Sequence, residues 1–155
     1  MKLVEDKVAI VTGGGSGFGR AMSLLYSEEG AHVVVSDIDE SKGNETVEII
    51  LKEGGKAVFL KADVSKPEDN KRLVEKAVSE FGKLDIAFNN AGIGGANAPI
   101  GDYPIDAWDS IIKVNLSSVF YGMHYQIPQM LKNGGGVIVN PASILGQVGF
   151  AGSCG

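Results

Sequence analysis

The sequence predicts a doubly wound α/β fold, in which a parallel sheet carries helices on both faces. Short β-branched apolar runs alternate with segments of helical periodicity along the whole chain. The runs VAIV, VVV, DIAF and VIV are nearly all apolar, as expected for strands that are covered on both faces. Glycine stands directly after several helical segments, at residues 30, 54 and 82. The alternation gives the order β-α-β-α-β-α-β-α-β and a single domain over residues 1–155.

The elements follow one another without repeats or a linker. The first strand is predicted over Lys7–Thr12. The first helix is predicted over Gly19–Glu29, where apolar Met22 and Leu25 lie at helical spacing. Gly30 ends this helix because a left-handed C-terminal turn favours glycine. The elements that follow are strand Ala31–Ser36, helix Glu40–Glu53, strand Ala57–Lys61, helix Pro67–Phe81, strand Leu84–Phe88, helix Ile105–Leu131 and strand Gly136–Asn140.

Residues at the element boundaries support this assignment. Gly54-Gly55 ends the second helix, and Pro67 stands in the first turn of the third, where its missing N–H costs nothing. Gly82 closes the third helix. A Gly-rich loop then separates the fourth strand from the long fourth helix.

Composition narrows the classes of function. The 155 residues carry a net charge of −5 without a Lys/Arg cluster, which argues against nucleic-acid binding. The apolar stretch Val8–Val11 is too short for a signal peptide or a membrane span, so a cytoplasmic protein is expected, without a membrane partner. Cys154 is the only cysteine, which excludes an internal disulfide and a cysteine-based metal site. His32 and His124 have no ligand-like neighbours in sequence, and no metal site is expected.

The stretch TGGGSGFG, residues 12–19, joins the first strand to the first helix. Gly13, Gly17 and Gly19 allow a tight turn, close approach of the backbone to a pyrophosphate and close packing of helix on strand. The N–H groups at the helix N-terminus would then face the phosphates. The spacing is G-x-x-x-G-x-G, not the commoner G-x-G-x-x-G, and a glycine-rich turn alone can be merely structural.

Asp37 ends the second strand, twenty residues beyond Gly17. A carboxylate there can accept hydrogen bonds from both hydroxyls of an adenosine ribose and would repel a 2′-phosphate. Neither Ser16 nor Ile38 supplies a cation for such a phosphate, so NAD is expected over NADP. The alternative is a solvated aspartate that caps the next helix, although Asp39 is the better candidate for that cap.

Asp63-Val64 ends the third strand at the same edge of the predicted sheet. The carboxylate could meet the adenine amino group while Val64 covers the ring. From spacing alone, an aspartate that forms a turn explains the position equally well.

With Asn89-Asn90-Ala91-Gly92 after the fourth strand, the pattern resembles the short-chain dehydrogenase/reductase family. The matching pieces are Thr12-Gly13-x-x-x-Gly17-x-Gly19, Asp37, Asp63-Val64, the NNAG at 89–92, Asn115 and the Ser143 region, in family order. The resemblance implies NAD(P)-dependent oxidoreductase chemistry on a Rossmann-like fold, often in dimers or tetramers. The residues expected at the cofactor are Gly13, Ser16, Gly17, Phe18, Gly19, Asp37, Ile38, Asp63, Val64, Asn90, Ala91 and Gly92.

The resemblance also implies two catalytic residues. Asn115 lies on an apolar stripe that we expect to face the sheet, and the family uses it to hold a water in a proton relay. Without the resemblance, a helix-bending core asparagine is the preferred interpretation. Ser143 matches the serine that orients the substrate oxygen, the alternative being a plain loop serine. Pro141 departs from the family's usual residue two positions earlier, and it fixes the local backbone.

In this family a tyrosine thirteen residues after that serine, and a lysine four residues later, carry out proton transfer. From Ser143 the tyrosine falls one position beyond Gly155. The last two strands would also be absent, which leaves Val137–Val139 as an exposed apolar edge. The sequence is therefore expected to be the N-terminal part of a longer enzyme, and the 155 residues alone to be inactive.

The expected function is hydride transfer between NAD(H) and a secondary alcohol or ketone, by a homo-oligomer when the full chain is present. Leu145, Val148 and Phe150 make the visible part of the substrate pocket apolar. One alternative is a binding module that holds NAD without catalysis. Another is a methyltransferase, which also uses a glycine loop and an acidic residue after strand two but leaves Asn115, Ser143 and the NNAG unexplained.

Overall fold

The computed structural model describes residues 2–149 and 151–152. Within them, a five-stranded, fully parallel sheet has the order β3-β2-β1-β4-β5. This confirms the predicted doubly wound α/β class. The strands are β1 (Val8–Thr12), β2 (His32–Asp37), β3 (Lys56–Lys61), β4 (Ile86–Phe88) and β5 (Val137–Val139).

The helices lie in the predicted order between the strands. Helix α1 begins two residues earlier than predicted, at Gly17. The predicted turn glycines adopt positive φ angles, +94° at Gly30, +83° at Gly54 and +81° at Gly82. The helices are α1 (Gly17–Glu28), α2 (Glu40–Lys52), α3 (Pro67–Phe81), α4 (Ile105–Ile111) and α5 (Ser118–Lys132).

Each face of the sheet carries its own apolar core. On one face, strand residues Ile10 and Val34 pack with Leu73 of α3 and Met130 of α5. On the other face lie Val11, Val33, Val35, Phe88 and Ile50 of α2. Strands β1 and β2 are buried along almost their whole length, as their uninterrupted apolar runs predict.

The fourth helix differs from the prediction. The single helix expected over Ile105–Leu131 is divided by a π-helical segment, Ile112–Ser117. Such segments insert one extra residue into a turn and recur at functional sites. Residue 115, one of the predicted catalytic positions, lies within this segment.

Strand β5 is the edge of the sheet among the described residues. The fully covered strand that its VIV run suggests is not observed, because the exposed fractions are 59% for Val137 and 39% for Val139. The predicted exposed apolar edge is therefore present. Within the described residues, no helix combines the length and hydropathy needed to cross a membrane.

The order of the strands indicates where on the sheet a ligand would bind. The chain adds β2 and β3 on one side of β1, and after β3 it crosses to the other side of β1, where it forms β4 and β5. Open parallel sheets bind ligands outside the carboxyl ends of the strands at this reversal. The loops after β1, β2, β3 and β4 meet there.

Candidate functional site

A cleft of about 380 Å³ opens at the carboxyl ends of β1–β4. Every residue that the sequence predicted at the cofactor lines it, except Gly19. Its lining consists of Gly13, Ser16, Gly17, Phe18, Ser36, Asp37, Ile38, Ala62, Asp63, Val64, Asn90, Ala91, Gly92, Ile93 and Val114. Asn115 and Ser143 are outside that lining.

The glycine loop has the backbone geometry that only glycine adopts easily. Gly13 and Gly17 have φ angles of +65° and +50°. A Cβ on Gly19 would lie 2.0 Å from the carbonyl oxygen of Gly13. Gly19 therefore packs the first turn of α1 against the loop instead of lining the cleft. A Cβ on Gly17 would meet no atom within 4 Å, so that side of the loop is open.

The carboxylate of Asp37 is held at both oxygens. Oδ2 accepts the N–H of Gly15 at 2.9 Å, and Oδ1 accepts the N–H of Asp39 at 2.9 Å. The cap of α2 is Asp39, whose Oδ1 accepts the N–H of Lys42. The capping alternative for Asp37 is therefore wrong, because Asp39 fills that role.

Asp63 forms a turn and also lines the cleft. Its Oδ1 accepts the hydroxyl of Ser65 at 2.7 Å and the N–H of Ser65 at 3.0 Å, which forms the turn into α3. The Ser65 hydroxyl, more than any other group, holds the pKa of this carboxyl below its usual range. The same residue lines the cleft beside Val64, so the carboxylate is a turn former that also faces the site.

Thr12 joins the glycine loop to the turn after β4. Its Oγ1 accepts the N–H groups of Asn90 at 2.9 Å and Ala91 at 3.0 Å. The side-chain amide of Asn90 donates to the Thr12 carbonyl at 3.0 Å. One buried threonine thus fixes the Asn90-Ala91-Gly92 turn at the reversal point. Thr12 is the first residue of the glycine-rich motif, but the sequence did not indicate its role in the site.

Asn115 does not occupy the buried position expected on the helix face toward the sheet. The residue is exposed, and its amide pairs with one backbone residue of the loop after β4. Oδ1 accepts the N–H of Ile93 at 2.9 Å, and Nδ2 donates to the Ile93 carbonyl at 3.0 Å. Trp108 belongs to the same stripe that we expect to face the sheet, and it is 42% exposed. The π-helical segment, Ile112–Ser117, changes the helical phase at Asn115.

Ser143 is exposed and precedes a short 3₁₀ turn, Ile144–Gly146. Its hydroxyl oxygen accepts the N–H of Leu145 at 3.1 Å. The serine therefore caps a turn after β5, and its hydroxyl proton is free for another acceptor in this arrangement. Leu145 and Val148, predicted in the substrate pocket, are exposed and do not line the cleft, and Phe150 and Cys154 lie outside the described residues.

A buried amide network lies behind the turn after β4. Asn89 and Gln126 of α5 exchange two hydrogen bonds, at 2.8 and 3.1 Å, and are 9% and 2% exposed. Asn89 Nδ2 also donates to Asn140 Oδ1 at 2.9 Å. Gly122 leaves room for this contact, since a Cβ there would lie 3.2 Å from Asn89 Oδ1. The network ties the ends of β4 and β5 to α5.

Four residues that line the cleft were not predicted from the sequence. Ser36 and Ala62 are the last small residues before the two predicted aspartates, and their places at strand ends could have indicated them. Ile93 and Val114 come from a loop and from the π-helical segment, which carry no sequence signal for the cleft.

The cleft fits a dinucleotide in its chemistry. The open side of Gly17 and the N–H groups that begin α1 suit phosphate oxygens. Asp37 offers acceptors for hydroxyls. The buried hydroxyl of Ser36 has no hydrogen-bond partner among the described residues, and a ligand or water in the cleft would supply one.

The two histidines lie against aromatic rings, His32 on Phe81 and His124 on Tyr125. Within residues 2–149 and 151–152, no three His, Cys, Asp or Glu side chains come together as metal ligands.

Comparison with known proteins agrees with the geometry. A profile of the family described as short chain dehydrogenase matches residues 7–155. Cyclohexanol dehydrogenase of Acinetobacter sp. (strain SE19) is 49% identical over 146 residues, which are 94% of this chain and 58% of that protein. The 2,5-dichloro-2,5-cyclohexadiene-1,4-diol dehydrogenase of Sphingobium indicum is 40% identical over 96% of this chain and 59% of its own length.

The structure is similar to that of NAD⁺-bound xylitol dehydrogenase, with a TM-score of 0.94 and 33% identity over 98% of this chain and 58% of that one. The chain therefore spans about three fifths of the length of the proteins that it matches.

We predict that Gln126→Met destabilises the protein by about 1–3 kcal/mol, because Asn89 loses its amide partner while buried. Urea unfolding of the purified variant measures the change. Gln147→Met is the matched control, since Gln147 is exposed. Equal free energies of unfolding for the two variants would contradict a stabilising role for the network.

Proposed function

The chain belongs to the short-chain dehydrogenase family, and from this premise we propose that the natural protein transfers a hydride between NAD(H) and a secondary alcohol or its ketone. The observation that carries the proposal is the cleft, which gathers the predicted cofactor residues, apart from Gly19, at the reversal point of the sheet. The bound nicotinamide supplies the hydride chemistry.

Within this proposal, each wall of the cleft binds a different part of the dinucleotide. The glycine loop, with Ser16, Gly17 and Phe18, takes the diphosphate, and Gly19 packs the helix behind it. Asp37 and Ile38 take the adenosine ribose. The remaining assignments are Asp63 and Val64 to the adenine and Asn90, Ala91 and Gly92 to the nicotinamide ribose.

We propose NAD, not NADP, as the cofactor because the cleft carries negative charge where the 2′-phosphate of NADP would lie. Asp37 is fixed by two backbone N–H groups, so its carboxylate cannot turn away without losing them. A 2′-phosphate in its place would bring like charges together. No lysine, arginine or histidine is among the residues that line the cleft.

Two exposed residues serve the reaction itself. The Ser143 hydroxyl is proposed to donate to the substrate oxygen, because its own oxygen already accepts from Leu145. Asn115 is proposed to act in proton relay through the loop backbone that it holds, since both polar atoms of its amide bind Ile93.

The substrate class proposed is a cyclic or hydrophobic secondary alcohol. Two of the relatives are named for dehydrogenation of cyclic alcohols. In this chain, Ile93 lines the cleft, and Leu145 and Val148 expose apolar surface near Ser143 in sequence. These apolar residues favour an uncharged, hydrophobic ring over a charged substrate.

We also propose that residues 1–155 form one dinucleotide-binding domain of a cytoplasmic homo-oligomer. The support for assembly is the apolar surface of α5, where Phe120, Ile127 and Leu131 are exposed. No interaction with nucleic acid or membrane is proposed for this acidic chain, which carries a net charge of −5.

Asp37→Asn is expected to weaken NADH binding about tenfold, because hydrogen bonds to a charged acceptor contribute about 1.5–3 kcal/mol. NADPH binding should tighten in the same variant, because the repulsion of its 2′-phosphate is removed. Fluorescence titration of both nucleotides measures the two Kd values. Asp109→Asn, at an exposed position on α4, is the control and should change neither.

Ser143→Ala is expected to lower turnover of cyclohexanol by the natural protein about a hundredfold, the usual effect of removing one hydrogen-bond donor to the reacting oxygen. Ser143→Thr keeps the hydroxyl and should retain most of the activity. A steady-state assay of NADH formation measures both. Wild-type kcat in the alanine variant would rule out a role for this serine.

The 155 residues alone are expected to bind NADH without measurable turnover. No Tyr-x-x-x-Lys sequence follows Ser143 within them, and a general acid–base group contributes about 10²–10⁴ in rate. A hydride-transfer assay on a chain of verified mass tests this expectation. Ordinary turnover by that chain would show that other residues transfer the proton.

A further inference from the structure

Three cations surround Asp37 without lining the cleft. Lys61 stands opposite Asp37 in the register of β2 and β3. Gly15 lies between Asp37 and Lys42, since a Cβ on Gly15 would be 2.8 Å from Asp37 Oδ2 and 3.0 Å from Lys42 Cβ. Arg20 donates through Nε to the carbonyl of Gly15 at 3.0 Å. These positive charges would favour a 2′-phosphate if they were free.

None of the three is free, because each is paired with an acidic side chain at or near the start of α2. Both partners of each lysine pair are exposed, so solvent screens these two pairs strongly. The arginine pair is the shortest, and its guanidinium is the less exposed partner, at 26% against 57% for Glu45. The pairs are Arg20 with Glu45 at 2.6 Å, Lys42 with Asp39 at 3.1 Å and Lys61 with Glu40 at 3.7 Å.

Arg20 also connects the glycine loop to α2. Its Nη2 donates to Glu45 Oε2 and to the Lys42 carbonyl at 3.3 Å, while Nε binds Gly15. Gly15 in turn donates its N–H to Asp37 Oδ2 at 2.9 Å. A single residue therefore separates the guanidinium from the carboxylate that faces the cofactor cleft. Moving Arg20 would move the N–H that holds Asp37.

We propose that Arg20 and Glu45 form a second determinant of nucleotide choice, in which Arg20 positions Asp37 through Gly15 and Glu45 neutralises the charge of Arg20 toward a 2′-phosphate. The inference rests on the proposed function, since it concerns the same dinucleotide. Arginine is the side chain best suited to phosphate, so its neutralisation affects NADPH more than that of either lysine.

The test uses the natural protein and fluorescence titration with NADH and NADPH. Glu45→Gln keeps the size of the side chain and an acceptor but removes its charge. It should tighten NADPH binding about threefold to tenfold and leave NADH binding unchanged, because only NADPH carries the extra phosphate. Glu48→Gln, exposed on the same helix, removes an equal charge and is the matched control.

A double-mutant cycle then identifies the route of the effect. In an Arg20→Gln background, Glu45→Gln should no longer change the Kd for NADPH, because the cation that it releases is absent. Arg20→Gln alone should weaken NADH binding several-fold, as Asp37 loses its fixed orientation. Thermal unfolding of each variant shows whether it is folded at the titration temperature.

The outcomes separate the two proposals. If the natural protein binds neither nucleotide, the proposed function fails and the inference fails with it. If it binds NADH but Glu45→Gln changes the NADPH Kd no more than Glu48→Gln does, the inference alone is overturned. An effect of Glu45→Gln that persists without Arg20 would also overturn it.

Discussion

The whole cleft depends on one close contact between the first turn of α1 and the end of β1. The carbonyl of Gly13 faces Gly19 so closely that a Cβ there would be 2.0 Å from the oxygen. This contact brings the N-terminus of α1 over the sheet and fixes the open turn at Gly17. Because the buried β1 anchors one side of the contact, the N–H groups that begin α1, which the proposed function assigns to phosphate, are held in place without a ligand.

Hydrogen bonds connect this contact to β2 on one side and to β4 on the other. Toward β2, the loop donates the Gly15 N–H to Asp37, and Arg20 ties the same residue to α2. Toward β4, the hydroxyl of Thr12 fixes the N–H groups of Asn90 and Ala91. The two walls are therefore parts of one hydrogen-bonded unit, and a change in the loop is transmitted to both.

The sequence predicted the fold, and which residues meet at the cleft, because both follow from local rules. Uninterrupted apolar strands, turn glycines at 30, 54 and 82, and aspartates at strand ends leave little freedom in a parallel sheet. It failed in the helical region after β4, where Trp108 of α4 and Asn115 of the π-helical segment are exposed instead of facing the sheet. Pairings such as Asn89 with Gln126 join residues far apart in sequence, and no local pattern indicates them.

The two sides of the site differ in hydrogen bonding and in exposure to solvent. On the side proposed for the cofactor, the oxygens of Thr12, Asp37 and Asp63 accept hydrogen bonds from neighbouring groups, so ligand binding there would immobilise few further side chains. On the substrate side, Ser143 and the apolar residues near it are exposed, in loops joined by the N–H of Ala98 to the carbonyl of Gly152 at 3.0 Å. Under the proposed function, a fixed wall for the nucleotide beside exposed loops would let substrate choice change without altering the dinucleotide site. Affinity for the nucleotide would then reside in the loop–strand contacts, and substrate selectivity in the loops after β4 and β5.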